Sequence, residues 1–303
     1  MKILIVCSFN KKRIHTYIRE QVESLNNLGI ETDYYLIRGK GLFGYIRNYF
    51  PLVKKIKKFN PTLVHAHYGL SGLLASFQTL VPVITTFHGS DINNLKVRLL
   101  SIIAMKRSVY SIFVSRQMAY RASAKKDYSI ISCGINLNHF KPIDKAIARQ
   151  KMGYKNEDKI VVFAGSFDDK VKNVRLAQKA IQIINQNIVL VELKNYTRLE
   201  VNFLLNAADV ALLTSLSEGS PNFIKEAMAC NCPIVTTNVG DVSEITANID
   251  GTFICHFDEK DVASKLTSAL ELKRRTNGRE NILRLEMGMT ARKILDIYER
   301  ILN

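Results

Sequence analysis

The chain has 303 residues, 47% apolar and 23% charged, which suits two domains of about 150 residues and excludes a disordered polypeptide. Its formal charge of +16 sits wholly in the first half: residues 1–150 hold 23 Lys/Arg against 7 Asp/Glu, whereas residues 151–303 hold 20 of each. So lopsided a distribution belongs to a surface that meets an anionic partner, such as a membrane, a phosphate-bearing acceptor or nucleic acid.

The opening apolar run at residues 1–7 is too short for the core of a signal peptide and reads as a buried strand. No later run approaches the ~20 apolar residues that span a bilayer, so the expectation is a cytoplasmic chain, at most peripheral on the inner membrane face. Cys7, Cys133, Cys230, Cys232 and Cys255 are odd in number, and the close pair has neither metal-knuckle nor redox spacing. They read as small buried hydrophobes of a reducing compartment.

In the first half, strands are expected at residues 3–7, 32–37, 62–65, 83–87, 111–115 and 128–133, with a helix at 16–28 ended by Gly29. Segments long enough for crossover helices separate most of them, the signature of a parallel, doubly wound sheet. Residues 41–59 carry Leu42, Tyr45, Ile46, Tyr49 and Val53 at helical spacing among Arg47, Lys54, Lys55, Lys57 and Lys58, with Pro51 expected to interrupt the helix. That segment reads equally as a membrane-surface element and as a helix packed on the sheet with a solvated basic face. A polar stretch at 136–145 with Pro142 reads as a linker. The second half repeats the alternation, with strands at 160–164, 188–193, 210–214, 234–237 and 252–255 and helices at 172–184, 198–206 and 221–230. Beyond residue 259 the periodicity is helical.

Ligands of such sheets bind beyond the carboxyl ends of the strands, where helix N-termini present free N–H groups. Residues 215–237, SLSEGSPNFIKEAMACNCPIVTT, fall at such a place. Ser220 is a suitable N-cap and Pro221 a suitable first helical residue. The spacing then sets Glu218 just before the helix and Glu226 more than a turn inside it. One carboxylate can reach a sugar hydroxyl, the other a ribose diol.

This block resembles the retaining family-4 glycosyltransferases of the GT-B fold, whose hallmark is two glutamates separated by seven residues; Gly219, Pro221, Ala227, Pro233 and Gly240 fit the pattern too. The resemblance implies an α/β GT-B architecture, two Rossmann-like domains with parallel sheets facing a central cleft. Residues 1–140 would form an acceptor-side domain and 141–285 a donor domain, with 286–303 a C-terminal helix packing back toward the first. It implies that Glu218 contacts donor-sugar hydroxyls and Glu226 the nucleotide ribose, while backbone N–H groups of Ser220, Asn222 and Phe223 hold the distal phosphate and sugar.

Residues 163–180 fit the same reading: a strand ends at Gly165, and Lys172-Asn173 stands where the family's lysine opens a helix, placed to neutralise a diphosphate leaving group. Ser166 occupies the usual site of an arginine, and Lys170 and Arg175 are alternative substitutes. His88-Gly89 resembles the family's His-Gly loop, whose histidine faces the donor sugar. The glycine-rich loop common after the first strand is replaced by residues 8–17, SFNKKRIHTY. His65 and His67 could mimic a metal pair, but no third ligand stands at sensible spacing, and they read as strand-end lining.

The resemblance implies hexose transfer from a nucleoside-diphosphate sugar, with no cofactor and no metal, to a glycan or lipid-linked acceptor in cell-surface polysaccharide synthesis. The basic N-domain would meet an anionic membrane surface; no known nucleic-acid module accompanies the charge. Two alternatives remain, a GT-B sugar-nucleotide epimerase and a non-catalytic partner subunit. The first would need its own acid/base set, and the second would need none of Glu218, Glu226, Lys172 and His88.

Overall fold

Residues 1–10, 13–39 and 41–303 are described by a computed structural model, in which the chain divides into two units. The first comprises Met1–Gly134 and Met287–Asn303, the second Ile135–Glu286.

Unit 1 runs β1 (Lys2–Ser8), α1 (Thr16–Asn27), β2 (Glu31–Ile37), α2 (Gly41–Ile46), α3 (Tyr49–Phe59), β3 (Leu63–His67), α4 (Gly69–Ala75) and β4 (Val83–Phe87). It continues through α5 (Ser90–Asn93), α6 (Leu95–Arg107), β5 (Tyr110–Phe113), α7 (Arg116–Arg121) and β6 (Tyr128–Ile130). The second unit holds α8 (Lys145–Met152), β7 (Lys159–Phe163), α9 (Val174–Ile184), β8 (Ile188–Glu192), α10 (Arg198–Ala207) and β9 (Val210–Leu213). After these come α11 (Asn222–Ala229), β10 (Ile234–Thr237), α12 (Val242–Ile245), β11 (Thr252–Cys255), α13 (Glu259–Glu271) and α14 (Gly278–Ile282). The last helix, α15 (Met287–Leu302), returns to unit 1, where Ala291, Ile294, Ile297 and Tyr298 join the core of Ile3, Ile5 and Ile18.

Both sheets are parallel throughout, in the orders β2-β1-β3-β4-β5-β6 and β11-β10-β9-β7-β8. Parallel strands covered on both faces should be apolar along their length, and Ile3 through Val6 and Ile160 through Phe163 are 0% exposed. The strand order reverses between β1 and β3 in one sheet and between β7 and β9 in the other. Those two switch points are where an open α/β sheet leaves a crevice beyond its strand ends.

Several local expectations are corrected. Residues 136–145 are not a free linker: Leu137 and Phe140 are buried in the second unit's core, and Asp144 caps α8 by accepting from Ala146 and Ile147. Pro51 does not interrupt a helix. The break falls at Arg47-Asn48, and Pro51 is the third residue of α3, where its missing N–H forfeits no intrahelical bond. The strand expected at 62–65 runs from Leu63 to His67, so His65 and His67 both belong to β3. Of residues 8–17, Lys11 and Lys12 lie outside the described residues, as does the side chain of Leu42 in the 41–59 segment.

Candidate functional site

In the second unit the loops after β7 and β9 meet at the switch point. Gly165, two residues past the end of β7, has φ +141°, and a Cβ there would lie 3.1 Å from Lys172 Cε. The glycine thus serves twice, once for the left-handed turn and once to let the lysine stem cross the strand end. Lys172 does not open the helix. It lies in a turn, followed by Asn173 in the left-handed conformation as the N-cap of α9. Thr214, at the end of β9, donates to the carbonyls of both Lys172 and Asn173 at 3.0 Å, and Leu216 N–H donates to Val171 at 2.9 Å. These bonds hold one loop to the other.

The stitching brings Lys172 Nζ to 2.6 Å from Glu218 Oε1, which also accepts from Ser215 Oγ at 2.8 Å. Both side chains are about one-fifth exposed, so the pair is shielded yet reachable. The pair Lys194–Asp168 is far more exposed, 47% and 80%, and solvent screens it strongly. Lys172–Glu218, by contrast, is shielded enough to act on a ligand.

Ser220 does not cap α11. The helix begins at Asn222 with Pro221 as N-cap (φ −71°, ψ 112°), and no side chain caps it. The Ser220 hydroxyl instead donates to Asp241 Oδ2 at 2.6 Å and accepts from Lys225 Nζ. Gly240, at φ +64°, packs its α-carbon against Gly219, where a Cβ would stand 2.5 Å from the Gly219 carbonyl oxygen. With its own cap engaged elsewhere, the helix presents the first-turn N–H groups of Asn222 and Phe223 without carbonyls of their own helix to bond. Partial positive charge at that end suits a phosphate. The Asn222 side-chain oxygen is buried with no hydrogen-bond partner among the described residues.

Glu226 is 7% exposed and accepts from Arg198 Nη1 at 2.6 Å. The Arg198 guanidinium stacks over the Phe140 ring at 4.5 Å. Arg198, Lys225 and Asp241 are the residues that sequence reasoning missed. Arg198 had a local signal: Thr197 and Glu200 form a capping box, which puts residue 198 at a helix tip. Ser166, in the position of the family's arginine, donates to Glu192 Oε1 at 2.9 Å, and that carboxylate also takes the Phe167 N–H.

In unit 1, His88 follows β4, and Asp91 fixes its loop by accepting from the backbone N–H groups of Gly69, His88 and Gly89. Burial raises the Asp91 carboxyl above its ordinary value, and those backbone bonds work against the rise. His67 Nδ1 lies 2.9 Å from His88 Nε2, while His65 bonds Tyr298 and Thr86 at 2.5 and 2.7 Å. Burial lowers His65 to about 3 and His67 well below the ordinary imidazole range. Both therefore stay neutral. Tyr17 and Tyr68, their hydroxyls hydrogen-bonded to each other, lean their rings on His88 at 5.0 and 4.8 Å. Among the described residues no three His, Cys, Asp or Glu side chains are placed to hold a metal ion.

The fold defines the class. The whole chain superposes on sucrose-phosphate synthase from Thermosynechococcus elongatus (TM-score 0.84, 16% identity, 99% of this chain and 98% of that one). It also superposes on Anabaena Alr3699/HepE in complex with UDP-glucose (TM-score 0.83, 14% identity, 99% and 100%). Both are likenesses of fold, and the fold is GT-B.

The sequence matches Glycosyltransferase Family 4 over residues 13–139 and Glycosyl transferases group 1 over residues 191–272. The chain belongs to this glycosyltransferase family. It is similar to TuaC of Bacillus subtilis, whose name assigns it provisionally to teichuronic acid biosynthesis (27% identity; 63% of this chain, 57% of that one). It is also similar to an N,N'-diacetylbacillosaminyl-diphospho-undecaprenol alpha-1,3-N-acetylgalactosaminyltransferase of Campylobacter jejuni (25% identity, 93% and 89%). The match thus spans little more than half of TuaC but most of the Campylobacter enzyme.

Proposed function

We propose that the chain is a retaining glycosyltransferase that moves a hexose from a nucleoside-diphosphate sugar to a glycan or lipid-linked acceptor. The observation that carries this reading is the Lys172–Glu218 pair at 2.6 Å beside the start of α11, with Glu226 one turn further into the helix. In the reaction the bond between sugar C1 and the diphosphate oxygen breaks while the acceptor oxygen bonds C1. The acceptor proton passes to the departing phosphate oxygen. Lys172 and the N–H groups of Asn222 and Phe223 meet the charge that develops on that phosphate, the electrostatic problem that dominates such a step. Glu218 takes sugar hydroxyls and Glu226 the ribose, which trades against the Arg198 contact. Gly165, Asn173, Gly219, Ser220 and Pro221 shape the seat. These groups need no cofactor or metal, so turnover in a chelator is expected to match turnover without one.

A lipid-linked acceptor at an anionic membrane is the finer form of the proposal. It is supported by the surface of unit 1, which exposes Phe43 and Phe50 (83% and 80%) among lysines 54, 57 and 58, and Leu95 and Leu99 (76% and 67%) on α6. No helix among the described residues is long and apolar enough to cross a membrane, so contact would be at the interface. The names of relatives from Campylobacter jejuni and Escherichia coli specify diphospho-undecaprenol acceptors, which fits.

The test is thermal stabilisation by a panel of nucleoside diphosphates and nucleotide sugars, on the wild type and on Glu226→Ala. The reading predicts a shift with one nucleotide that disappears in the variant. No shift at saturating concentration would contradict it and favour a non-catalytic partner subunit.

A further inference from the structure

His67 is completely buried, and its Nε2 has no hydrogen-bond partner among the described residues. Its Nδ1 lies 2.9 Å from His88 Nε2, with the two rings within 24° of parallel. One proton must lie between those nitrogens, and the buried Nε2 decides whose it is. An unbonded N–H in a dry site is costlier and rarer than an unbonded lone pair. The single proton of neutral His67 therefore sits on Nδ1 and is donated to His88. A second proton on His67 is opposed by burial and by the neighbouring imidazoles of His65, His88 and His15.

We infer that His67 is a positioning residue that fixes the tautomer of His88, with the His88 proton on Nδ1 and its Nε2 held as the acceptor of the His67 proton. His88 Nε2 is committed as an acceptor to His67, so the His88 proton is on Nδ1, which faces the Cys133 thiol at 3.9 Å. The groups around the pair are His65, stacked on His67 at 4.5 Å, Tyr17 and Tyr68 on His88, and Asp91, whose oxygens take backbone N–H groups. Beside the transferase reading, on which this consequence rests, His88 does not take the acceptor proton through Nε2.

Long-range proton–nitrogen NMR correlation of the imidazoles tests this without any ligand. In the wild type at neutral pH, His88 is expected to show a protonated Nδ1 and an unprotonated Nε2; a protonated Nε2 would overturn the assignment. In His67→Phe, His88 should revert to the Nε2-protonated form that a free imidazole prefers in water, and an unchanged tautomer would equally overturn it. His67→Asn offers an amide N–H near the position of Nδ1 and is expected to keep the wild-type tautomer. Should the Phe variant fail to fold, the wild-type and Asn spectra still decide. A protein that binds no nucleotide sugar yet shows the expected tautomer would refute the transferase reading and leave the His67 assignment standing.

Discussion

The two units share one architecture and divide its uses. Unit 1 carries 23 Lys/Arg against 8 Asp/Glu, while the second carries 20 against 19. At its β3 end the first has stacked histidines, with His65 and His67 kept neutral by burial and a tyrosine tilted against His88. The second has paired ions beside a helix start. A switch point supplies a crevice, and the side chains in it set the chemistry. Here the nearly neutral unit has the local cations and free N–H groups that a diphosphate requires. The strongly basic unit spreads its charge over an outer surface suited to a broad anionic partner.

Acid should separate the units most sharply. His65 and His67 titrate below the ordinary imidazole value of 6.5, so beneath that pH the unfolded chain binds more protons than the folded one. Their stabilisation is intact above pH 6.5 and is lost as pH falls toward about 3 for His65. At pH 5 the loss is about 2 kcal/mol for His65, and His67 adds a loss of the same sign. Hydrogen exchange should show it in the amides of unit 1. Equal loosening of both units would break the contrast. Asp91, whose carboxyl is raised, has the opposite slope, its contribution fading as pH rises through its folded pKa.

Next in size, Lys172→Met should lower kcat by about 10²–10³ with the protein still folded. An unaltered rate would remove the lysine from the leaving-group side. Gly240→Ala should cost about 1–3 kcal/mol of melting stability, because its Cβ meets the Gly219 carbonyl at 2.5 Å. Gly153, also left-handed but with open space around it, is the control and should tolerate alanine better. The smallest effect is on unit 1: Lys58→Gln should weaken binding to anionic vesicles by about fivefold, some 1 kcal/mol, and leave nucleotide affinity unchanged.

Much of the fold was legible because its signals are local. Apolar runs such as 160–164 mark buried strands, and the 215–237 block sets a strand, a turn and a helix within a few residues. The site was legible by position but not by partnership. Ser220 has the right chemistry for a cap, yet its hydroxyl goes to Asp241, 21 residues on, and to Lys225. Glu226 meets Arg198 across 28 residues, and His65 meets Tyr298 across 233. Such pairings depend on strand order and register, which local pattern does not encode. The same holds for the supposed linker, whose Phe140 is a core residue and the platform for Arg198.

The central claim is that the donor's diphosphate sits at the start of α11 against Lys172. Hydrogen exchange with and without a saturating nucleoside diphosphate tests it most directly. The account predicts protection concentrated in the amides of Asn222 and Phe223 and in the loop from Gly165 to Lys172. Protection confined to unit 1, or none in the α11 first turn despite binding, would contradict it.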